Sequence, residues 1–339
     1  MSWSIPIDAL AALRDQVSRP RRIAITTHHN PDGDAVGSSL GLAHLLRHAG
    51  HSVTVVFPNR PPAFLRWMPG YGDAIAWDTH AGPAMEALRG CELLFCLDLN
   101  RPDRVKELEP ALLAAPFRVL IDHHRDPVPF TQVTFSDVGS CATAQMVADI
   151  AVAMGWQDAI GADAATCLYA GIMTDTGGFR YPATTSHTLR MAALLMERGA
   201  VPHQISSAIL DDSTEERLRL LGFTLSERMQ VLPELGAVVI HLERSDLDRF
   251  KYQPGDTEGL VNQGLAIRGI RLSAFFMERK DGIKVSLRSK GNVDVDRICR
   301  DLYDGGGHLN AAGGLARGGM EQVVERFIAE LRIRMPQVA

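Results

Sequence analysis

Histidine and aspartate recur in four short segments of this 339-residue chain: His28 to Asp34 in HHNPDGD, Asp98 in LDLN, His123 and His124 in IDHH, and Asp175 in TDTGGF. Carboxylates and imidazoles without thiolates suit hard or borderline divalent ions. Manganese fits them better than a structural zinc, and magnesium or cobalt can also serve. Four aspartates and two histidines suffice for two ions if one carboxylate bridges. The residues alone leave open whether His28 or His29, and whether His123 or His124, would ligate. Two ions about 3.5 to 4 Å apart can lower the pKa of a shared water and polarise a phosphoryl oxygen. They can also stabilise both the attacking and the leaving oxygen of an in-line displacement. Hydrolysis of a phosphate ester or anhydride is the reaction such a donor set favours.

Each segment also has a plain structural reading. Asp-Gly and Pro-Asp-Gly form turns, and Asp32 or Asp34 can cap the helix that follows. His123 and His124 can be a satisfied imidazole beside a solvated one, and Asp175 can be an ordinary loop residue. Asp98 resists such a reading. It follows the apolar run LLFCL, where an unpaired carboxylate is costly unless a cation or hydrogen bonds compensate it.

The elements that must position these residues are legible as alternating patterns. The apolar runs RIAITT (22–27), SVTVVF (52–57), LLFCLDL (93–99) and FRVLID (117–122) alternate with helical segments, one of them from about Ala35 to Ala49 closed by Gly50. Such alternation predicts an α/β domain, a parallel sheet with helices on both faces. In parallel sheets the carboxyl ends of the strands form the ligand crevice. Three acidic segments follow strands and the fourth ends an Ala- and Leu-rich helix over about Gly161 to Met173, so all four are expected to converge.

From Ser186 to about Met229 the pattern is helical and charge-rich, which predicts a helical connector. Beyond it, AVVIHL (237–242) predicts a strand, and Asp281-Gly282 between two strand-like runs predicts a hairpin. A helix near Val295 to Leu302, a glycine-rich loop DGGGHLNAAGG (304–314) and a closing helix over about Glu321 to Arg334 complete a smaller α/β unit. The expected division is residues 1–185, a connector 186–229, and residues 230–339.

Composition bounds the rest. The chain is 46% hydrophobic and 22% charged, as in a globular protein, and lacks an apolar run long enough to span a bilayer. Its first residues, MSWSIPIDALAALRDQVSRPRR, read as a short amphipathic helix rather than a secretory signal, so a cytoplasmic protein without a membrane partner is expected. Five cysteines (Cys91, Cys96, Cys141, Cys167 and Cys299) without CxxC spacing are expected to be buried free thiols in a reducing compartment. A net charge of −5 argues against a grip on long duplex nucleic acid through its phosphates. Short RNA or a small nucleotide is the expected partner, and a homodimer is compatible with the sequence.

HHNPDGDAVGS, LDLN, IDHH and TDTGGF, in this order, resemble the four signature motifs of the DHH phosphoesterase superfamily. DGGGHLNAAGG resembles the glycine-rich loop of its DHH-associated C-terminal domain. The resemblance covers both domains and nearly the whole chain, and is closest to the branch of stand-alone oligoribonucleases (nanoRNases) and pAp phosphatases. It implies that His28 and Asp32 hold one metal, that Asp34, His123 and Asp175 hold the other, and that Asp98 bridges them, with the active site in the cleft between the domains. His28 is favoured over His29 because the family's ligand lies three residues before the proline of PDGD. The resemblance further implies that His124 contacts the substrate phosphate and stabilises developing charge, and that Asp122 orients a ligand.

In the second domain, glycine-rich loops are often only turns, and Arg288, Ser289 and Lys290 can be a solvated strand edge. Alternatively, Gly305, Gly306 and Gly307 would let backbone N–H groups approach an anion. His308 would then supply a hydrogen bond or a stacking face, and Arg288 would clamp a phosphate. The resemblance favours Arg288 and His308 as substrate contacts. The expected activity is hydrolysis of short oligoribonucleotides to mononucleotides, together with conversion of pAp to AMP. The alternatives are a phosphodiesterase for cyclic dinucleotides or linear pApA and pGpG, a single-strand exonuclease, an inorganic pyrophosphatase, and a non-catalytic nucleotide-binding regulator. A complete set of metal ligands disfavours the last.

Overall fold

The structure, a computed structural model, describes residues 3–335; the expected domain ends at residues 1 and 339 lie outside the described residues. The chain divides into two compact units, the first ending at Asp212 and the second beginning at Ser213.

The first unit contains β1 (Arg22–Thr27), β2 (Ser52–Phe57), β3 (Ile75–Ala76), β4 (Leu93–Leu97), β5 (Arg118–Asp122) and β6 (Val133–Ser136). They form one sheet in the order β3-β2-β1-β4-β5-β6, and every pairing is parallel. A parallel sheet covered on both faces buries both sides of each central strand, so its strands read as continuous apolar runs. All five residues of β4 are buried. Ile23, Ile25, Phe95 and Ile121 enter one core, while Ala24, Leu94, Cys96 and Leu120 enter another on the opposite face.

The helices of this unit are α1 (Ile7–Gln16), α2 (Gly33–His48), α3 (Ala81–Gly90), α4 (Glu109–Ala114), α5 (Thr143–Ala153), α6 (Ala162–Asp175), α7 (Ser186–Glu197) and α8 (Pro202–Leu210). Helices α2 and α6 approach closely where Gly171 lies. A Cβ there would sit 2.6 Å from Ala144 Cβ and 3.1 Å from Asp34 Oδ1. Glycine at this position lets the start of α2, the start of α5 and the end of α6 meet.

The stretch 186–229 is three helices shared between the units: α7 and α8 belong to the first, and α9 (Glu215–Glu227) belongs to the second. The second unit has β7 (Met229–Leu232), β8 (Ala237–Leu242), β9 (Leu272–Arg279), β10 (Gly282–Ser289), β11 (Gly306–His308) and β12 (Ala311–Ala316), in the order β11-β12-β10-β9-β8-β7. Only β8 and β9 pair in parallel. Its remaining helices are α10 (Arg244–Arg249), α11 (Leu260–Gly264), α12 (Val295–Leu302) and α13 (Met320–Arg334).

The hairpin expected at Asp281-Gly282 is present, with its turn at Lys280 and Asp281, since Gly282 pairs with Arg279 and opens β10. One expectation is corrected. The segment expected as a glycine-rich loop, 304–314, is largely the hairpin of β11 and β12.

Candidate metal centre

In the first sheet, β1, β2 and β3 run outward in one direction, and the chain then returns to place β4 against the other side of β1. Such a reversal of strand order opens a crevice at the carboxyl ends of the two central strands. Thr27 and Leu97 are register partners at those ends. The next residue on each strand is therefore a neighbour across the crevice: His28 on one side, Asp98 on the other.

Asp98 leaves its strand with φ +58, a left-handed conformation that aspartate adopts more readily than most residues. Its N–H still donates to the Ile121 carbonyl at 3.0 Å. The residue is 2% exposed. Oδ2 lies 3.4 Å from His28 Nε2, and Oδ1 lies 3.5 Å from His123 Nε2. One carboxylate thus presents a different oxygen to each of two imidazoles.

Among the described residues, three groups of side chains share Asp98: His28, Asp32 and Asp98; Asp34, Asp98 and His123; and Asp98, Asp122 and His124. In each, one donor atom per residue lies within 4.8 Å of the others. Asp32 combines the two roles weighed for it. Its Oδ1 caps α2 by accepting the N–H groups of Asp34 and Ala35, at 3.1 and 3.0 Å, while Oδ2 lies 4.0 Å from His28 Nε2. In the second group, His123 Nε2 lies 3.7 Å from Asp34 Oδ2 and 3.5 Å from Asp175 Oδ2. Each imidazole is held from behind: His28 Nδ1 is 2.9 Å from the His29 carbonyl, and His123 Nδ1 is 3.1 Å from the Ser140 carbonyl. With a proton on Nδ1, Nε2 of each ring is the atom that faces the carboxylates, donating to them when protonated and free to ligate a cation when not.

The electrostatics are those of an acidic centre with too little fixed positive charge. Burial, joined by the charges of Asp98 and Asp175, pushes the Asp34 carboxyl well above the usual range. Burial opposes ionisation of Asp98 as well, but the hydrogen bond to His28 and the charges of His124, His28 and His123 outweigh it and hold Asp98 well below that range. For His28, burial and Arg104 oppose the charged form, yet Asp98 and Asp32 raise its pKa overall. For His123, burial is overcome by Asp175, Asp98 and Asp122. Crowded buried carboxylates beside imidazoles are what divalent cations compensate. The oxygen and nitrogen donors fit such ions.

Asp122 is fully buried, and burial together with Asp98 lifts its carboxyl to about 6. It orients His124, with Oδ1 2.8 Å from His124 Nδ1 and Oδ2 accepting the His124 N–H at 3.2 Å. Burial and Arg104 hold the His124 imidazole well below its ordinary pKa. His29 donates its N–H to the Arg104 carbonyl at 2.7 Å.

In the second unit, Arg288 and His308 both pair with Ala311, one from β10 and the other from β11. Directly opposed residues share a sheet face, so the two stand in one row about 10 Å apart across two strand spacings. The glycines behave differently from the expected anion cradle. Gly305 donates its N–H to the Cys299 carbonyl at 3.2 Å, and Gly307 donates its own to Asp296 Oδ1 at 2.7 Å. Both groups are spent inside the fold. A Cβ on Gly305 would lie 2.0 Å from the Gly313 carbonyl oxygen, and one on Gly307 2.4 Å from that of Ala311. Close approach of β11 to β12 is what requires glycine here.

Sequence reasoning missed Thr143, Ser140, Arg104 and Asp296, which touch or support these groups. A Ser/Thr start signal before the apolar run TAQMVADIAVA was available for Thr143; the others carry no distinguishing local pattern.

Residues 22–172 match the model of the DHH family N-terminal domain, and residues 236–335 match that of the DHHA1 domain. The bifunctional oligoribonuclease and PAP phosphatase NrnA of Thermus thermophilus is 34% identical over 317 residues, which cover 91% of this chain and 89% of that protein. The chain belongs to the DHH family. Another relative, the bifunctional oligoribonuclease and PAP phosphatase NrnA of Bacillus subtilis, is 29% identical over 86% of this chain and 88% of its own. The crystal structure of an exopolyphosphatase-related protein from Bacteroides fragilis matches with a TM-score of 0.94 and 35% identity, over 99% of both chains. In the motif that names the family, Asp122 holds His124, while His123 faces Asp34, Asp98 and Asp175.

Proposed function

We propose that this DHH protein is a metal-dependent phosphoesterase that hydrolyses short oligoribonucleotides to mononucleotides and pAp to AMP. The observation that carries the reading is Asp98, whose two oxygens face His28 and His123 separately. The NrnA relatives, similar along nearly their whole length, support the substrate class. His28, Asp32 and Asp98 would hold one divalent ion, and Asp34, Asp98, His123 and Asp175 the other, with Mn²⁺ best suited to the donors. Bound there, such ions would supply Lewis-acid charge to the phosphoryl group and acidify water.

The chain's own residues do the rest. Where the Nδ1–H of His124 is given to Asp122, its Nε2 can donate to a phosphate oxygen only in the imidazolium form. The charge of an arriving phosphate is what would counter the burial and the Arg104 guanidinium that keep it neutral. Arg288 and His308 would contact the nucleotide, with Gly306 beside them, while Gly305 and Gly307 shape the hairpin. No helix among the described residues is long and apolar enough to cross a membrane. All five cysteines are free and buried, in keeping with a cytoplasmic setting.

The test is an assay of the purified protein with Mn²⁺ against pAp, pApA, a short RNA, a cyclic dinucleotide and pyrophosphate. AMP released from pAp and mononucleotides from short RNA are expected. Hydrolysis of pyrophosphate alone would sink the nuclease reading, and inactivity on all five would favour a nucleotide-binding regulator.

A further inference from the structure

We propose that Thr143 is a positioning residue of the metal centre, which fixes the carboxylates of Asp34 and Asp98 relative to each other through its backbone N–H and its hydroxyl. The inference rests on the metal-dependent reading given above.

Thr143 is the first residue of α5 and is fully buried. The residue before it, Ala142, offers no side-chain cap, so the unpaired N–H groups of the first turn need partners from elsewhere. Asp34, reaching in from α2, provides them. Its Oδ2 accepts the Thr143 N–H at 2.6 Å and its Oδ1 accepts the Ala144 N–H at 2.8 Å. The Thr143 hydroxyl in turn donates to Asp98 Oδ1 at 3.0 Å, the same oxygen that faces His123 Nε2. One residue at the head of one helix, by its backbone N–H and its hydroxyl, therefore ties together carboxylates delivered by α2 and by the end of β4.

A carboxylate oxygen has two lone pairs. A hydroxyl that occupies one of them restrains the plane of the Asp98 carboxylate and leaves the second lone pair of Oδ1 for a cation. Without that donor, the Asp98 carboxylate loses one restraint on rotation about its terminal bond, in a site where the charge of Asp34 faces it. Partners behind metal ligands typically contribute 10- to 100-fold in metal affinity.

The test uses the full chain and reads Mn²⁺ binding by calorimetry and electron paramagnetic resonance, independently of turnover. Thr143→Val keeps the shape and removes the donor. It is expected to weaken Mn²⁺ binding by roughly 10- to 100-fold, whereas Thr143→Ser, which keeps the hydroxyl, binds as wild type does. Equal Mn²⁺ affinity in Thr143→Val and wild type would overturn the proposal, as would a loss in Thr143→Ser as large as that in Thr143→Val. If Thr143→Val does not fold, Thr143→Ala against Thr143→Ser asks the same question, because that pair also differs in the hydroxyl. Loss of folding in both hydroxyl-free variants, with Thr143→Ser intact, would make the residue a stability element and overturn the positioning role. A wild-type protein that binds no Mn²⁺ would instead overturn the metal reading on which the inference stands.

Discussion

The acidic centre of the first unit and the glycine hairpin of the second are both conspicuous in sequence, but for opposite physical reasons. In the first, buried side chains crowd together with more negative charge than the fold neutralises: Asp34 and Asp98 are 1% and 2% exposed and lie within reach of the same imidazole. In the second, Gly305 and Gly307 satisfy their own N–H groups through Cys299 and Asp296, and the absence of side chains lets two strands close up. An unresolved electrostatic cost points to a ligand, whereas a resolved steric demand points to folding. On the proposed reading, any substrate contact from the second unit would come from the side chains in the row of Arg288 and His308 rather than from the N–H groups of Gly305 and Gly307.

Four outcomes would break or sharpen this contrast. Asp98→Ala removes a carboxylate shared by both donor groups. Its kcat is expected to fall by more than the ~10²- to 10³-fold that loss of one donor at a reacting centre costs, measured on pAp with saturating Mn²⁺. Arg288→Ala should act on binding instead, raising the KM for a dinucleotide by roughly 10- to 100-fold, as loss of a charge-assisted hydrogen bond does, with kcat little changed. An unaltered KM would remove Arg288 from the substrate site. Gly305→Ala is expected to lower stability by about 1–3 kcal/mol, because its Cβ would meet backbone that cannot step aside, and thermal unfolding reads the difference. A variant that kept full stability but lost nucleotide binding would return the glycines to the role of anion cradle. The smallest effect concerns pH. His28 and His123 have pKa values raised above the ordinary 6.5, so in the metal-free protein they hold the second ring proton to higher pH than a free imidazole does, and that proton must leave before metal binds. Mn²⁺ affinity is therefore expected to rise with pH through their titration and to level off above it, as calorimetry in buffers of different pH would show.

Much of the fold was legible because parallel strands buried on both faces carry their signature openly: LLFCL is apolar throughout, and RIAITT, SVTVVF and RVLID each carry an apolar or β-branched run. Helix α5 was not read, since nearly every residue of TAQMVADIAVA is buried and no polar stripe gives it a helical period. Strands β11 and β12 carry no strand signal of their own because glycine and alanine have little strand preference, and only the pairing of β12 with β10 and of β11 with β12 makes them strands. At the centre, the donor types of His28, Asp32, Asp34, Asp98, His123 and Asp175 drew attention to themselves, and the structure gathers them at one sheet edge. Thr143 did not, because a buried threonine gains its meaning from the two carboxylates it happens to touch. Asp32 shows the limit of weighing cap against ligand, since its two oxygens can take one role each.

The most direct test of the shared carboxylate is the number and coupling of bound ions. Metal-free wild type and Asp98→Asn, titrated with Mn²⁺ and followed by electron paramagnetic resonance, should differ in kind. The wild type is expected to bind two ions per chain with the signature of a spin-coupled pair, and Asp98→Asn to lose the coupling and hold at most one ion tightly. Two coupled Mn²⁺ ions in Asp98→Asn would contradict the bridging role of Asp98.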